Sequence, residues 1–191
     1  ASSAFGFSNV AKVDYASAFG YSNEASGLAS SAVGFRNKAA SENASAVGYG
    51  NNANALAASA VGYNNTAGGV GSSTIGYNNT ATNENASAFG YGNTAGGLAS
   101  SAFGFSNTAS GDNANAFGYN NIASGSKSNV FGTGNTVSGS SSTAVGTANE
   151  VAAENSTAIG NNNTISSGAE NSAALGNNIS ISLKDSVALG N

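Results

Sequence analysis

Small and bulky positions alternate along this chain on a fixed clock. In runs such as Ala16-Ser17-Ala18-Phe19-Gly20-Tyr21 the alternation has period two, which predicts a strand. The following run, Asn23-Glu24-Ala25-Ser26-Gly27, alternates more weakly and reads as a second strand. The whole pattern then returns after 14 residues. A glycine marks each return, at Gly6, Gly20, Gly34, Gly48, Gly62, Gly76, Gly90, Gly104, Gly118, Gly132, Gly146 and Gly160; one interval of 16 leads to Gly176, and 14 recurs at Gly190. Counted from these glycines, position −1 is always bulky and apolar, and position −2 is Ala in twelve of the fourteen repeats. Position −4 is Ala or Ser, position +3 is Asn in the first twelve repeats, and position +5 is Ala, Val or Ile.

Fourteen residues are too few for a helix pair and carry no 3.6-residue apolar stripe. They suffice for two short strands and two tight turns. An all-β solenoid is therefore predicted, with coils stacked at about 4.8 Å and equivalent side chains superposed as ladders. The glycine column, Gly6, Gly20, Gly34, Gly48, Gly62 and Gly76 among its members, signals positive φ or a backbone approach that leaves no room for a Cβ. The asparagine column, opening with Asn9, Asn23, Asn37 and Asn51, is expected to hydrogen-bond from coil to coil. The bulky −1 column is expected to fill a thin two-sheet core opposite +5. The small residues at −2 and 0 are expected to form a face for a second chain.

Position +1 is aromatic in nine repeats: Phe7, Tyr21, Phe35, Tyr49, Tyr63, Tyr77, Tyr91, Phe105 and Tyr119. It then becomes Thr133, Thr147, Asn161, Asn177 and Asn191. Residues 1–191 thus read as one repeat domain with aromatic coils to about 128 and polar coils from about 129. Two readings of the aromatic column stand side by side: an exposed ligand-binding ladder that grips sugars or an extended strand, or a stacking ladder that closes the roll or a chain interface.

Composition narrows the function. Only 7% of residues are charged, 27 are Gly, and Pro, Cys, Met, Trp and His are absent. Without Cys or His there is no disulfide framework, no usual transition-metal ligand and no Ser-His nucleophile, so no cofactor or metal is expected and no enzyme. A net charge of −4 with five cations provides no stripe to neutralise phosphates, which sets nucleic acid aside. No apolar run approaches the roughly 18 residues of a span, so this segment is expected to make no membrane contact. The lack of Met is expected of a piece of a longer protein. The nine acidic residues read as scattered surface charge, with Glu150 and Glu154 the closest pair, and Arg36 with Lys38 as the one cation cluster. Asn-x-Ser/Thr triplets such as Asn43-Ala44-Ser45 and Asn64-Asn65-Thr66 follow from composition. The 16-residue interval around Ser166-Ser167-Gly168 is expected to bulge a turn. An ice-binding face needs a flat threonine array, and the threonines read as forming no such column.

The last repeats contain Ser142-Thr143-Ala144-Val145-Gly146, Asn155-Ser156-Thr157-Ala158-Ile159-Gly160, Asn171-Ser172-Ala173-Ala174-Leu175-Gly176 and Asp185-Ser186-Val187-Ala188-Leu189-Gly190. They resemble the N-S-V-A-I-G repeat of the YadA-like head domain of trimeric autotransporter adhesins from Gram-negative bacteria. The resemblance implies a left-handed parallel β-roll, or β-solenoid, assembled as a homotrimer and carried on a stalk anchored in the outer membrane. It also implies a non-enzymatic adhesin whose partners are itself and a host matrix or cell-surface protein or glycan, or other bacteria. A structural spacer presenting another domain is the alternative.

Overall fold

The computed structural model describes residues 1–190, so Asn191, the last member of the +1 column, lies outside the described residues. Among these residues every regular element is a β-strand. No helix is long and apolar enough to cross a membrane. The chain divides into two compact units, Ala1–Ala95 and Gly96–Asn191.

In the first unit the five-residue strands Ser3–Phe7, Ser17–Tyr21, Ser31–Phe35, Ser45–Tyr49, Ser59–Tyr63, Ser73–Tyr77 and Ser87–Tyr91 follow one another in a parallel sheet. Each residue pairs with the one fourteen positions on, as Ser17 with Ser31 and Tyr21 with Phe35. Two-residue strands such as Glu24–Ala25 and Lys38–Ala39 build a second parallel sheet with the same offset. Two left-handed residues per coil carry the chain between the sheets. One stands at +2, as Ser22 with φ 53 and Asn64 with φ 54; the other stands at −5, as Ala29 with φ 54 and Asn43 with φ 56. A strand cannot continue through that conformation, so each turn is set by the backbone rather than by a loop.

The side chains at −4, −2, +3 and +5 point inward. Ala16, Ala18, Asn23 and Ala25 are all buried. This corrects the expected core. The bulky −1 residues face outward, with Phe19 54% exposed, and the alanines beside them face in. Strand alternation forces neighbours to opposite faces, and an interior this thin admits the methyl group and excludes the ring. The −2 column is accordingly spent inside the coil and offers nothing to a second chain.

The asparagines seal that interior. Asn51 donates from its main-chain N–H and from Nδ2 to Oδ1 of Asn37, both at 3.0 Å. Its Nδ2 also reaches the carbonyls of Val47 at 2.9 Å and Gly62 at 2.7 Å. Asn9 opens the same column half-exposed, donating from Nδ2 to the carbonyl of Phe5 at 2.8 Å.

The second unit repeats the plan, from Ser101–Phe105 through Asn129–Thr133 to Val187–Gly190 in the long-strand sheet. Gly132 shows why glycine and asparagine recur three residues apart. With φ 123, a Cβ there would stand 2.0 Å from the carbonyl oxygen of Gly146 and 3.2 Å from Nδ2 of Asn135. The space above the glycine is where the amide lies. In the first unit Gly6, Gly20, Gly34, Gly48, Gly62 and Gly76 share this conformation, with φ between 112 and 119.

The long interval behaves as a bulged turn: Thr157 pairs with Ala173 and Thr164 with Ser180, sixteen residues on, and the ladder resumes. The threonines need a second correction. Position +4 of the first unit stacks Thr66, Thr80 and Thr94 in register. Glu24, Lys38 and Asn52 precede them in the same column, so the array is short and interrupted.

Candidate functional site

With −4 and −2 turned inward, alternation leaves −3, −1 and +1 on the outer face of the long strands. In the first unit this face carries two apolar columns side by side. The +1 rings of Phe7, Tyr21, Phe35, Tyr49, Tyr63, Tyr77 and Tyr91 form a continuous stack. Centroid separations run from 5.0 Å for Phe7–Tyr21 to 4.8 Å for Tyr77–Tyr91, and the planes lie between 14° and 3° from parallel. The separation equals the strand spacing, so the stack is imposed by the sheet and strengthened by ring contact. Six of the seven rings remain exposed, Tyr63 by 43%, and Phe35 is half-buried. Arg36, at +2, lies over the Phe35 ring at 5.1 Å. The −1 column beside them adds Phe5, stacked on Phe19 at 4.9 Å, and Ile75 at 45% exposure.

In the second unit Phe105 stacks on Tyr119 at 5.2 Å, and Phe103, Phe117 and Phe131 continue at −1. Thr133 then replaces the +1 ring. Farther along, Asn161 donates from Nδ2 to Oδ1 of Asn177 at 2.7 Å, so an amide ladder takes over the position of the rings. The opposite edge changes in the reverse sense: position −3 is Ser101 and Asn115 at first, then Thr143, Thr157, Ala173 and Val187.

A further column escaped the sequence reading. Six residues before each repeat glycine lie Asp14, Leu28, Glu42, Leu56, Val70 and Glu84 in the first unit, all exposed. Leu98, Asp112, Ser126, Ser140, Glu154, Glu170 and Lys184 follow in the second. Six of the nine acidic residues fall here, so the acids are aligned rather than scattered. Backbone bonds tie the ridge together, as Ala57 N–H to Glu42 O and Gly71 N–H to Leu56 O, both 2.9 Å. The signal was present in the 14-residue register, but it is hidden by the mixture of carboxylate and aliphatic side chains.

Glu150 lies in a short strand and Glu154 on the ridge, so the closest acidic pair is divided between two elements. Among the described residues no group of three or more potential ligands is placed to hold a metal. The Lys12–Glu24 ion pair moves a titration: the hydrogen bond from Lys12, with the charges of Lys12 and Lys38, holds the Glu24 carboxyl below its ordinary value against the opposing effect of burial.

The fold is a parallel β-solenoid that carries its chemistry as repeated surface columns. The model of the YadA head domain repeat (2 copies) matches residues 25–51, 39–65, 67–93, 95–121 and 138–163. The chain belongs to the YadA head domain family, a family of adhesin-type surface domains that are not typically enzymatic. Among curated proteins none matches it.

Proposed function

We propose that this chain is the head of a trimeric autotransporter adhesin on the surface of a Gram-negative bacterium, held to the outer membrane by other regions of its protein. Three copies associate with their long-strand faces toward one another, and the short-strand faces and turns are left to meet a host matrix protein, a host cell-surface protein or glycan, or another bacterium. The exposed apolar face carries this reading. In the first unit alone the two columns present on the order of 1,000 Å² of apolar surface, more than a monomer usually leaves open and close to one partner's share of a stable interface. On this reading Phe7, Tyr21, Phe35, Tyr49, Tyr63, Tyr77, Tyr91, Phe105 and Tyr119 serve assembly rather than ligand capture, and adhesion gains its strength from the repetition of weak contacts.

The test has two arms. Sedimentation of the purified chain is expected to give a trimer, and a monomer at micromolar concentration overturns the assembly. Trimer coated on a surface is expected to retain bacteria, host cells or matrix proteins. Replacing the coils with a neutral solenoid of equal length should abolish that retention; undiminished retention identifies a spacer.

A further inference from the structure

Seven Asn-x-Ser/Thr triplets occur in the chain. Composition accounts for their number, since thirty asparagines stand among many serines and threonines, but it does not account for their place. Among the described residues ten asparagines adopt a left-handed turn conformation, and all seven triplets begin at one of these ten. In the first unit they begin at Asn43, Asn64, Asn78 and Asn85, with φ between 54 and 56. In the second they begin at Asn155, Asn162 and Asn178, with φ between 51 and 56. All seven asparagines are exposed.

Strand alternation sorts them. The middle residue of each first-unit triplet, Ala44, Asn65, Asn79 or Ala86, is buried, so the asparagine and the hydroxyl residue on either side are turned outward. Ser45, Thr66, Thr80 and Ser87 accordingly lie half-buried, each opening the strand that follows its turn. A buried ladder asparagine does not begin a triplet, because the residue two places on fills the interior and must be apolar, as Ala67 is after Asn65. The two kinds of asparagine also differ in their amides. Nδ2 of Asn65 commits both hydrogens inside, to Oδ1 of Asn51 and the carbonyls of Val61 and Gly76. Nδ2 of Asn64 donates once, to Oδ1 of Asn78 at 3.1 Å, and its second hydrogen is left to solvent. The Asn43 side chain lies exposed with no partner among the described residues.

We infer that these turn asparagines are acceptors for an N-linked sugar. The triplet is the acceptor pattern of asparagine glycosylation, in which the amide is substituted and the hydroxyl two residues on is read by the transferase. The reaction joins Nδ2 to the anomeric carbon of an activated sugar as the bond from that carbon to phosphate breaks; the amide releases one proton and the diphosphate leaves. The donor is a nucleoside diphosphate sugar or a polyprenyl diphosphate sugar. The product keeps one hydrogen on Nδ2, so the bond from Asn64 to Asn78 survives with the sugar directed away from the coil. No interior contact is lost, because the ladder asparagines lie one residue farther on. The inference needs only exposed turns and stands apart from how copies of the chain assemble.

Mass spectrometry of the chain isolated from the organism that makes it provides the test. Cleavage after aromatic residues separates the sites, since Tyr63 precedes Asn64 and Tyr77 precedes Asn78. Sugar is expected on Nδ2 of Asn64 and Asn78, with Asn65 and Asn79 bare. A single sugar at each site identifies the nucleotide donor, and a preassembled oligosaccharide identifies the lipid-linked donor. Asparagines bare throughout, sugar on ladder asparagines, or sugar confined to serine and threonine hydroxyls overturns the inference. Thr66→Ala and Thr80→Ala leave both asparagines in place, so each should abolish the sugar at its own site while the β circular dichroism is unchanged, and Thr66→Ser should retain it at Asn64. Sugar that persists in the alanine variants overturns the inference as well. A chain that is bare yet trimeric and adhesive overturns this inference alone.

Discussion

Asn37 and Asn23, one coil apart, are joined twice: the main-chain N–H and Nδ2 of Asn37 both donate to Oδ1 of Asn23 at 3.0 Å. Nδ2 also reaches the carbonyls of Val33 and Gly48. One buried amide thus serves its own coil and both neighbours, at a turn where main-chain pairing lapses. In an interior of alanines this ladder provides much of the specificity that larger side chains provide elsewhere.

Asn65→Ala should therefore cost far more than a surface change. It leaves Asn79 without its acceptor and the carbonyls of Val61 and Gly76 without their donor. The expected loss is about 3–5 kcal/mol, measured by urea unfolding. A loss under about 1 kcal/mol would show that water replaces the amide at little cost.

Two glycines of one coil separate steric need from conformational preference. Gly132→Ala places a Cβ against the carbonyl of Gly146, while Gly134, with φ 63, has nothing within 4 Å of such a Cβ. Gly132→Ala should disrupt the coil and expose it to proteolysis, whereas Gly134→Ala should cost about 1 kcal/mol. Equal effects would contradict the packing account.

Ala57 occupies a left-handed turn position with φ 55 and is exposed. Ala57→Asn or Ala57→Gly should raise stability by about 0.5–1 kcal/mol, seen as a higher midpoint in denaturant. Destabilisation by both would show that the alanine methyl makes a contact of greater value than the strain it carries.

Tyr77 stacks on Tyr63 and Tyr91, each at 4.8 Å. Tyr77→Ala should reduce stability by about 1–3 kcal/mol through two lost ring contacts. Tyr77→Phe should be nearly neutral, since stacking needs the ring alone.

The Glu24 carboxyl is held below its ordinary value chiefly by the Lys12 hydrogen bond. Its stabilisation is present above the ordinary carboxylate range and fades as pH falls from that range through the lower folded value. Because both partners are substantially exposed, the effect is small, about 0.5 kcal/mol or less. Titration by NMR should place Glu24 below the ordinary glutamate value, and Lys12→Ala should move it back toward that value.

Much of this molecule could be read without coordinates. The fourteen-residue return of Gly62 and Asn65 with their counterparts predicts the coil, the parallel register and the asparagine ladder, because stacked repeats bring like residues together. The direction of Phe19 could not be read. Alternation says that Ala18 and Phe19 point oppositely, and a preference for burying large apolar groups chose the wrong one. The acidic ridge was missed for a related reason: Glu42, Leu56 and Val70 differ in chemistry, and only their shared place on a turn makes them a column.

Periodicity alone determined the coil, since a chain that repeats must satisfy every turn by the same local geometry. Tertiary structure decided which side of each strand became the interior. Two sheets joined by turns this tight approach too closely for rings, so alanine and asparagine fill the space and the aromatic columns are left outside.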